Sequence, residues 1–489
     1  METACARARE LGDVVELRLD CVEDNDVLPR LQSLTGKDAG PFILTFRPSE
    51  QGGHRVLSRA EREAFWKGDW DASRTALADI ESDLVCDKDA PFIDGPFDWS
   101  RVIVSHHDFN GVPADLEEIY KRLARSLADV VKIAVQANDI TDCLPVFNLL
   151  DRAHKENRNL IAIAMGNAGV ATRILGPSRG SYLTYASLEE ESATAPGQVT
   201  ARQLRSVYRI DDINNETMIC GLVGMPVMHS VSPHMHNAAF AAEGVSGVYL
   251  PLEVRDVESF IKRMVHPGTR ELNWNLRGLS VTAPHKSSVM QFLDWIEPEA
   301  IEIGAVNTIV VEGKELRGYN TDVHGLMEPL RNRVGSFNGL SVAVIGAGGV
   351  ARAAVWALLR EHARVKLFAR SRPKVEALGQ RFQVEFDPVQ SASFRDYDVV
   401  INATPIGSGD FAWLTPAVAD QLAGAKLVYD LIYNPIETVL LKEARDAGCE
   451  TLGGLEMLVA QARVQFELWT GKTPSSGLMY DAGLAALSR

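Results

Sequence analysis

Apolar runs of six to eight residues recur through the first two hundred positions: DVVELRLD (13–20), FILTFR (42–47), LADIESD (77–83), RVIVSHH (101–107), VVKIAV (130–135), LIAIAMG (160–166) and YLTYAS (182–187). Between them lie segments such as ADLEEIYKRLARSLAD and DCLPVFNLLDRAHKEN, whose apolar side chains return at helical spacing. Strand–helix alternation predicts a parallel sheet, and seven such strands before residue 210 predict a (β/α)8 barrel. The chain opens inside what reads as the first helix, so the first barrel strand is expected to be absent. A polar stretch, DDINNET (211–217), breaks the pattern and marks a linker. Beyond it a second α/β region begins with MICGLVG (218–224), and a strand–turn–helix–strand pattern spans 340–374. The expected organisation is a barrel over 1–210, a linker over 211–217, and a second α/β region from 218 onward.

Length and charge narrow the function. A chain of 489 residues exceeds one ordinary core, and a formal net charge of −15 disfavours nucleic acid and anionic membranes as partners. Six scattered cysteines without a C-x-x-C pair suit neither zinc nor a disulfide framework, so a reducing cytosol is expected. The first residues lack a signal-peptide core, and no run reaches membrane-spanning length. His229, His234 and His236 have no acid spaced with them, so no metal is expected.

Active sites of barrels collect at the C-terminal ends of the strands. Polar residues interrupt the apolar runs there: Glu16, Arg18, Arg47, Glu81, His107 and Lys132. Lys132 lies between Val131 and Ile133, where an unpaired ammonium is costly. Deprotonating a lysine of ordinary pKa at pH 7 requires roughly 4 kcal/mol, which burial and neighbouring arginines can supply. A neutral amine can condense with a ketone; a lysine that extends its amine out of the strand end would read the same way. Side chains alternate along a strand, so Ser105 and His107 share one face while Val102, Val104 and His106 share the other. His107 is therefore the expected acid–base group, and His106 a packed one.

In the second region, Ser230 and Ser232 precede a helix near Pro233, suited to a carboxylate or to simple capping. GLSVTAPHK places Thr282 and Lys286 just past a strand, and GAVNTIV and GYNTDVHG supply Asn307 and Asp322. Gly346, Ala347, Gly348 and Gly349 form a G-x-G-G turn between strand and helix, the setting for a pyrophosphate. The next strand ends in ARSRPK, and Arg370, Ser371 and Lys374 there favour the extra phosphate of NADP over the bare ribose of NAD.

The motifs ELRLD, SHHDF, VVKIA, AMGNAGVATRILG and APGQV resemble, in order and spacing, the type I 3-dehydroquinate dehydratases over residues 2–210. That resemblance implies Lys132 as the Schiff-base lysine, His107 as proton shuttle oriented by Glu81, and Arg173 and Gln198 as holders of the substrate carboxylate and covering loop. Glu16, Arg18 and Arg47 would contact hydroxyls and carboxylate. Thr172 replaces the more usual serine of that family. From 218 onward the motifs above, with VVINATPIG, YDLIYNP and GGLEMLVAQARVQFELWTG, resemble shikimate dehydrogenases, which implies a substrate-binding domain over 218–325 completed by C-terminal helices 455–489 and a Rossmann NADP-binding domain over 326–454. This second resemblance implies Lys286 and Asp322 as the catalytic pair, and Ser230, Ser232, Thr282 and Tyr433 on the carboxylate side. Asn307, Asp322 and Gln461 would hold ring hydroxyls, and Thr404, Leu431 and Gly454 would line NADP(H) with the glycine turn. Ser280 stands where many relatives carry asparagine. Together the two likenesses imply a fused lyase and oxidoreductase acting in succession on small hydroxy-acid substrates. Quinate in place of shikimate, and a non-catalytic metabolite sensor on the same scaffold, are the competing readings. Oligomeric state is not legible.

Overall fold

The computed structural model describes residues 2–22, 41–67, 77–86, 98–189, 197–370 and 372–488. Two compact units emerge: Met1–Thr217 with Pro251–Met264 and Glu271–Trp274, and the remainder of the chain.

The first unit is built on six parallel strands in sequential order: β1 (Val15–Arg18), β2 (Phe42–Thr45), β3 (Leu77–Glu81), β4 (Val102–Asp108), β5 (Val130–Gln136) and β6 (Asn159–Met165). Ile43, Ile103, Val130, Ile161 and Ile163 gather in one core. Among the described residues β1 pairs with β2 alone. The seventh expected strand, 182–187, does not form as a ladder. Only isolated bridges, Leu160↔Ser181 and Ser187↔Thr200, tie it in. Within it Thr184 Oγ1 donates to the Arg173 carbonyl at 3.0 Å, and just before it Ser181 Oγ donates to the Leu183 carbonyl at 2.9 Å. Such side-chain bonds compete with strand pairing. Thr172 Oγ1 accepts from the Ala164 N–H at 3.0 Å and donates to the Gly169 carbonyl at 2.8 Å, fixing the end of β6 to the helix Val170–Leu175.

The second unit holds two sheets. One is mixed, ordered β10 (Trp295–Ile296), β12 (Glu315–Tyr319), β11 (Thr308–Glu312), β9 (Leu276–Val281), β7 (Met218–Gly224) and β8 (Gly247–Glu253). The other is wholly parallel, ordered β15 (Glu385–Pro388), β14 (Arg364–Ala369), β13 (Ser341–Ile345), β16 (Val399–Asn402), β17 (Leu427–Asp430) and β18 (Glu450–Leu452). Its order reverses between β13 and β16, where ligands of doubly wound sheets bind. The helix Gly454–Thr470 sends Leu455, Val459, Phe466 and Trp469 into the core beneath the mixed sheet, joined by Met479 of the helix Ser476–Leu487. No described helix is long and apolar enough to cross a membrane.

Candidate active sites

Parallel register sets Glu81, Ser105 and Lys132 side by side across β3, β4 and β5. The pocket at this mouth is lined by Glu16, Arg18, Arg47, His107, Lys132, Arg173 and Gln198, with Tyr185 beside them. His107 faces it and His106 does not, as strand alternation requires. Lys132 is 4 % exposed. Its Nζ donates to Asp79 Oδ2 at 2.7 Å and lies 4.0 Å from the centre of the Tyr185 ring. Arg47 donates to the same Asp79 oxygen at 2.8 Å and to His107 Nε2 at 2.8 Å. Since a guanidinium only donates, Nε2 is the acceptor and the proton of a neutral His107 sits on Nδ1.

Burial, opposed by Asp79 and assisted by Arg47, pulls the Lys132 amine below its ordinary pKa. Burial, then the charges of Arg47 and Lys132, hold His107 well below its own. Burial would raise Asp79, but Arg47 and Lys132 overcome it and keep the carboxylate ionised far into acid. Burial brings Arg173 down to about 10; its Nη1 donates to the Tyr185 carbonyl at 3.3 Å. Glu16 accepts from Thr45 Oγ1 at 2.7 Å, and Arg18 grips Asp20 with two nitrogens at 3.0 and 2.8 Å.

Glu81 makes no hydrogen bond to His107 in this structure. Its Oε2 faces Arg62 at 3.4 Å, its Oε1 has no partner, and it does not line the pocket. Arg62 is engaged more closely by Asp83, at 2.6 and 3.0 Å, so burial prevails and pushes Glu81 up to about 8. The carboxylate that organises this mouth is Asp79, two residues earlier on the same face. Sequence reading singled out neither Asp79 nor Tyr185. Only the i, i+2 spacing from Glu81 could have flagged the first.

The second pocket, about 350 Å³, lies in the second unit and brings together Ser230, Ser232, Thr282, Lys286, Asn307, Asp322, Thr404, Leu431, Tyr433, Gly454 and Gln461. Lys286 Nζ donates to Asp322 Oδ2 at 2.6 Å, and Asn307 Nδ2 donates to Asp322 Oδ1 at 2.8 Å. The Asn307 amide is oriented from its other side by the Thr321 N–H, which donates to Oδ1 at 2.8 Å. Thr308 Oγ1 also donates to that oxygen at 2.8 Å and accepts from Gln465 Nε2 at 2.9 Å. Gln465 Oε1 in turn accepts from Ser280 Oγ at 2.7 Å, and Ser280 accepts from Tyr249 at 2.8 Å. Ser280 thus belongs to a buried chain running back to Asp322. Gln465, Thr308 and Tyr249 were not foreseen. The His236 ring stacks on Tyr249 at 4.2 Å, and burial holds it neutral, down to about 3.

The glycine turn fits a dinucleotide. Gly346 adopts φ +132, where a Cβ would meet the Ala403 carbonyl oxygen at 2.7 Å, while Gly348 faces open space and caps the helix Gly349–Arg360. A pyrophosphate would therefore meet Ala347–Gly349 backbone and a helix N-terminus. Thr404 Oγ1 donates to Asn402 Oδ1 at 2.7 Å and accepts from the Ile406 N–H at 3.2 Å. Arg370 is exposed at the end of β14; Ser371 lies outside the described residues, and so does the side chain of Lys374. Among the described residues no group of three or more His, Cys, Asp or Glu side chains could hold a metal.

Comparison with known proteins bears on both pockets. Residues 1–215 match the model of type I 3-dehydroquinase. Residues 222–309 match the shikimate dehydrogenase substrate binding domain, 328–408 shikimate/quinate 5-dehydrogenase, and 454–482 the shikimate 5'-dehydrogenase C-terminal domain. A chloroplastic bifunctional 3-dehydroquinate dehydratase/shikimate dehydrogenase of Arabidopsis thaliana is 34 % identical, the match covering 95 % of this chain and 79 % of that protein. A crystal structure of a shikimate dehydrogenase in complex with NADP+ is 37 % identical with a TM-score of 0.53, covering 57 % of this chain and 98 % of its own. A quinate dehydrogenase from Corynebacterium glutamicum in complex with NAD is 30 % identical with a TM-score of 0.50, covering 55 % and 100 %.

Proposed function

The chain belongs to the family of bifunctional 3-dehydroquinate dehydratases/shikimate dehydrogenases, and on that premise we propose that its barrel works through an imine at Lys132 and its second unit through NADPH. The observation that supports the first part best is a buried lysine and a neutral histidine meeting at one strand-end pocket, organised by Asp79 and Arg47. The neutral fraction of Lys132 attacks the ketone of 3-dehydroquinate. The carbonyl oxygen leaves as water and an iminium remains. When the substrate carboxylate draws Arg47 away, His107 Nε2 is free to take the proton from the carbon next to the iminium, giving an enamine. The enamine expels the β-hydroxyl, which leaves as water with the proton from His107. Hydrolysis then returns the amine and 3-dehydroshikimate.

In the second unit the Gly346–Gly349 turn would hold NADPH, which would supply the hydride for the ketone carbon of 3-dehydroshikimate. Lys286, held against Asp322 at 2.6 Å, gives the proton that the oxygen needs as shikimate forms. Ser230 and Ser232, with Oγ atoms 3.2 Å apart, and Tyr433 form the polar end for a carboxylate. The basic residues after β14 favour NADP over NAD. The intact protein given 3-dehydroquinate and NADPH should release shikimate. A Lys132→Ala variant should leave NADPH untouched with 3-dehydroquinate yet oxidise it with 3-dehydroshikimate. Oxidation that persists with 3-dehydroquinate refutes the order of steps. Replacing shikimate by quinate, and NADP by NAD, in the reverse direction separates this reading from a quinate dehydrogenase.

A further inference from the structure

Tyr185 carries an unexplained polar atom. Its Oη is buried and has no hydrogen-bond partner, although the side chain lines the barrel pocket. A tyrosine that serves packing alone usually satisfies its hydroxyl, and phenylalanine would fill the same space without desolvating one. The residue is fixed from two directions. Its carbonyl accepts from Arg173 Nη1 at 3.3 Å, and the preceding Thr184 Oγ1 donates to the Arg173 carbonyl at 3.0 Å. The ring face meanwhile rests 4.0 Å from Lys132 Nζ. Burial lifts the phenol well above its ordinary pKa, so it remains a neutral O–H.

Resting on the imine reading of this pocket, we propose that Tyr185 is a substrate-binding residue of the dehydratase. Its Oη hydrogen-bonds an oxygen of the keto acid, a ring hydroxyl or the carboxylate, while its ring face steadies the Lys132 nitrogen for attack. The two roles separate by substitution. Tyr185→Phe keeps the ring and removes the hydroxyl; Tyr185→Leu removes both.

The test uses the full-length protein, steady-state dehydration of 3-dehydroquinate, borohydride trapping and thermal melting. Tyr185→Phe should raise KM roughly three- to tenfold, the worth of one hydrogen bond, with kcat and trapping at saturating substrate retained. Its melting temperature should hold or rise, because an unsatisfied buried hydroxyl has gone. Tyr185→Leu should add a lower kcat and slower trapping. A Tyr185→Phe protein with unchanged KM, whatever its melting temperature, overturns the proposal. Dehydration surviving in Lys132→Ala would instead overturn the imine reading, whatever Tyr185 does.

Discussion

In the second unit a run of hydrogen bonds leaves Asp322 through Asn307, Thr308, Gln465 and Ser280 to Tyr249, and each proton has one direction, set by the Thr321 N–H and the Asp322 carboxylate. At the barrel mouth one carboxylate, Asp79, is shared by Arg47 and Lys132, and polar atoms around it lack partners: Asp79 Oδ1, His107 Nδ1, Arg173 Nε and Tyr185 Oη. The site of the second unit has its hydrogen bonds in place before a ligand arrives and offers about 350 Å³; the barrel site offers about 50 Å³. The proposed chemistry accounts for the contrast. Hydride transfer asks a site to position a ring and hold one proton ready, which fixed dipoles do well. Imine chemistry needs an amine and an imidazole that change charge and partner within each turnover, so their bonds must be exchangeable.

The largest expected effect tests the independence of the two sites. Lys286→Met should lower the reductase kcat by about a hundredfold or more while leaving dehydration of 3-dehydroquinate unchanged. Coupled losses in separate assays would erase the contrast. Next, Asp79→Ala leaves Arg47 and Lys132 buried without the carboxylate they share. The barrel should lose roughly 3–5 kcal/mol in denaturant unfolding, whereas Asn307→Ala in the second unit, which leaves Asp322 still paired with Lys286, should lose less.

Smaller effects follow from titration. His236 is neutral when folded, with its pKa down to about 3, and must take up a proton on unfolding at acid pH. Unfolding then binds protons, so stability is full above pH 6.5 and falls as pH drops toward 3, by up to about 1.4 kcal/mol per pH unit. Glu81 acts in the opposite sense. Folded at about 8, it holds a proton that the unfolded chain releases above about pH 4.3, so its contribution favours the folded state at low pH and fades as pH rises toward 8. Melting curves of His236→Phe and Glu81→Gln against pH should each flatten the corresponding slope. The smallest change is Ser280→Ala, which removes one link of the buried chain and should raise the KM for shikimate by only a few fold.

What the chain reveals of itself follows the range of the forces involved. Alternation within β4 separates His107 from His106, because it depends on neighbours in sequence. The Gly346 turn and the acid–lysine pair of the second unit are likewise carried by local motifs. Asp79 and Glu81 share a face, and which one meets Lys132 depends on Arg62 arriving from a helix and Arg47 from just past β2. Alternation cannot rank two acids on one face. The same holds for Gln465, whose amide is oriented by Ser280 and Thr308 from distant strands. The 182–187 segment reads as a strand by composition, yet it is held by isolated bridges and by the Thr184 hydroxyl bonding the Arg173 carbonyl, contacts that its own residues do not announce.

Everything assigned to the barrel depends on the Lys132 nitrogen becoming a nucleophile. Borohydride added to the intact protein during turnover of 3-dehydroquinate should fix a reduced adduct on the peptide bearing Lys132 and end dehydration, with reduction of 3-dehydroshikimate preserved. Dehydration that continues undiminished, or a label on any other residue, would contradict it.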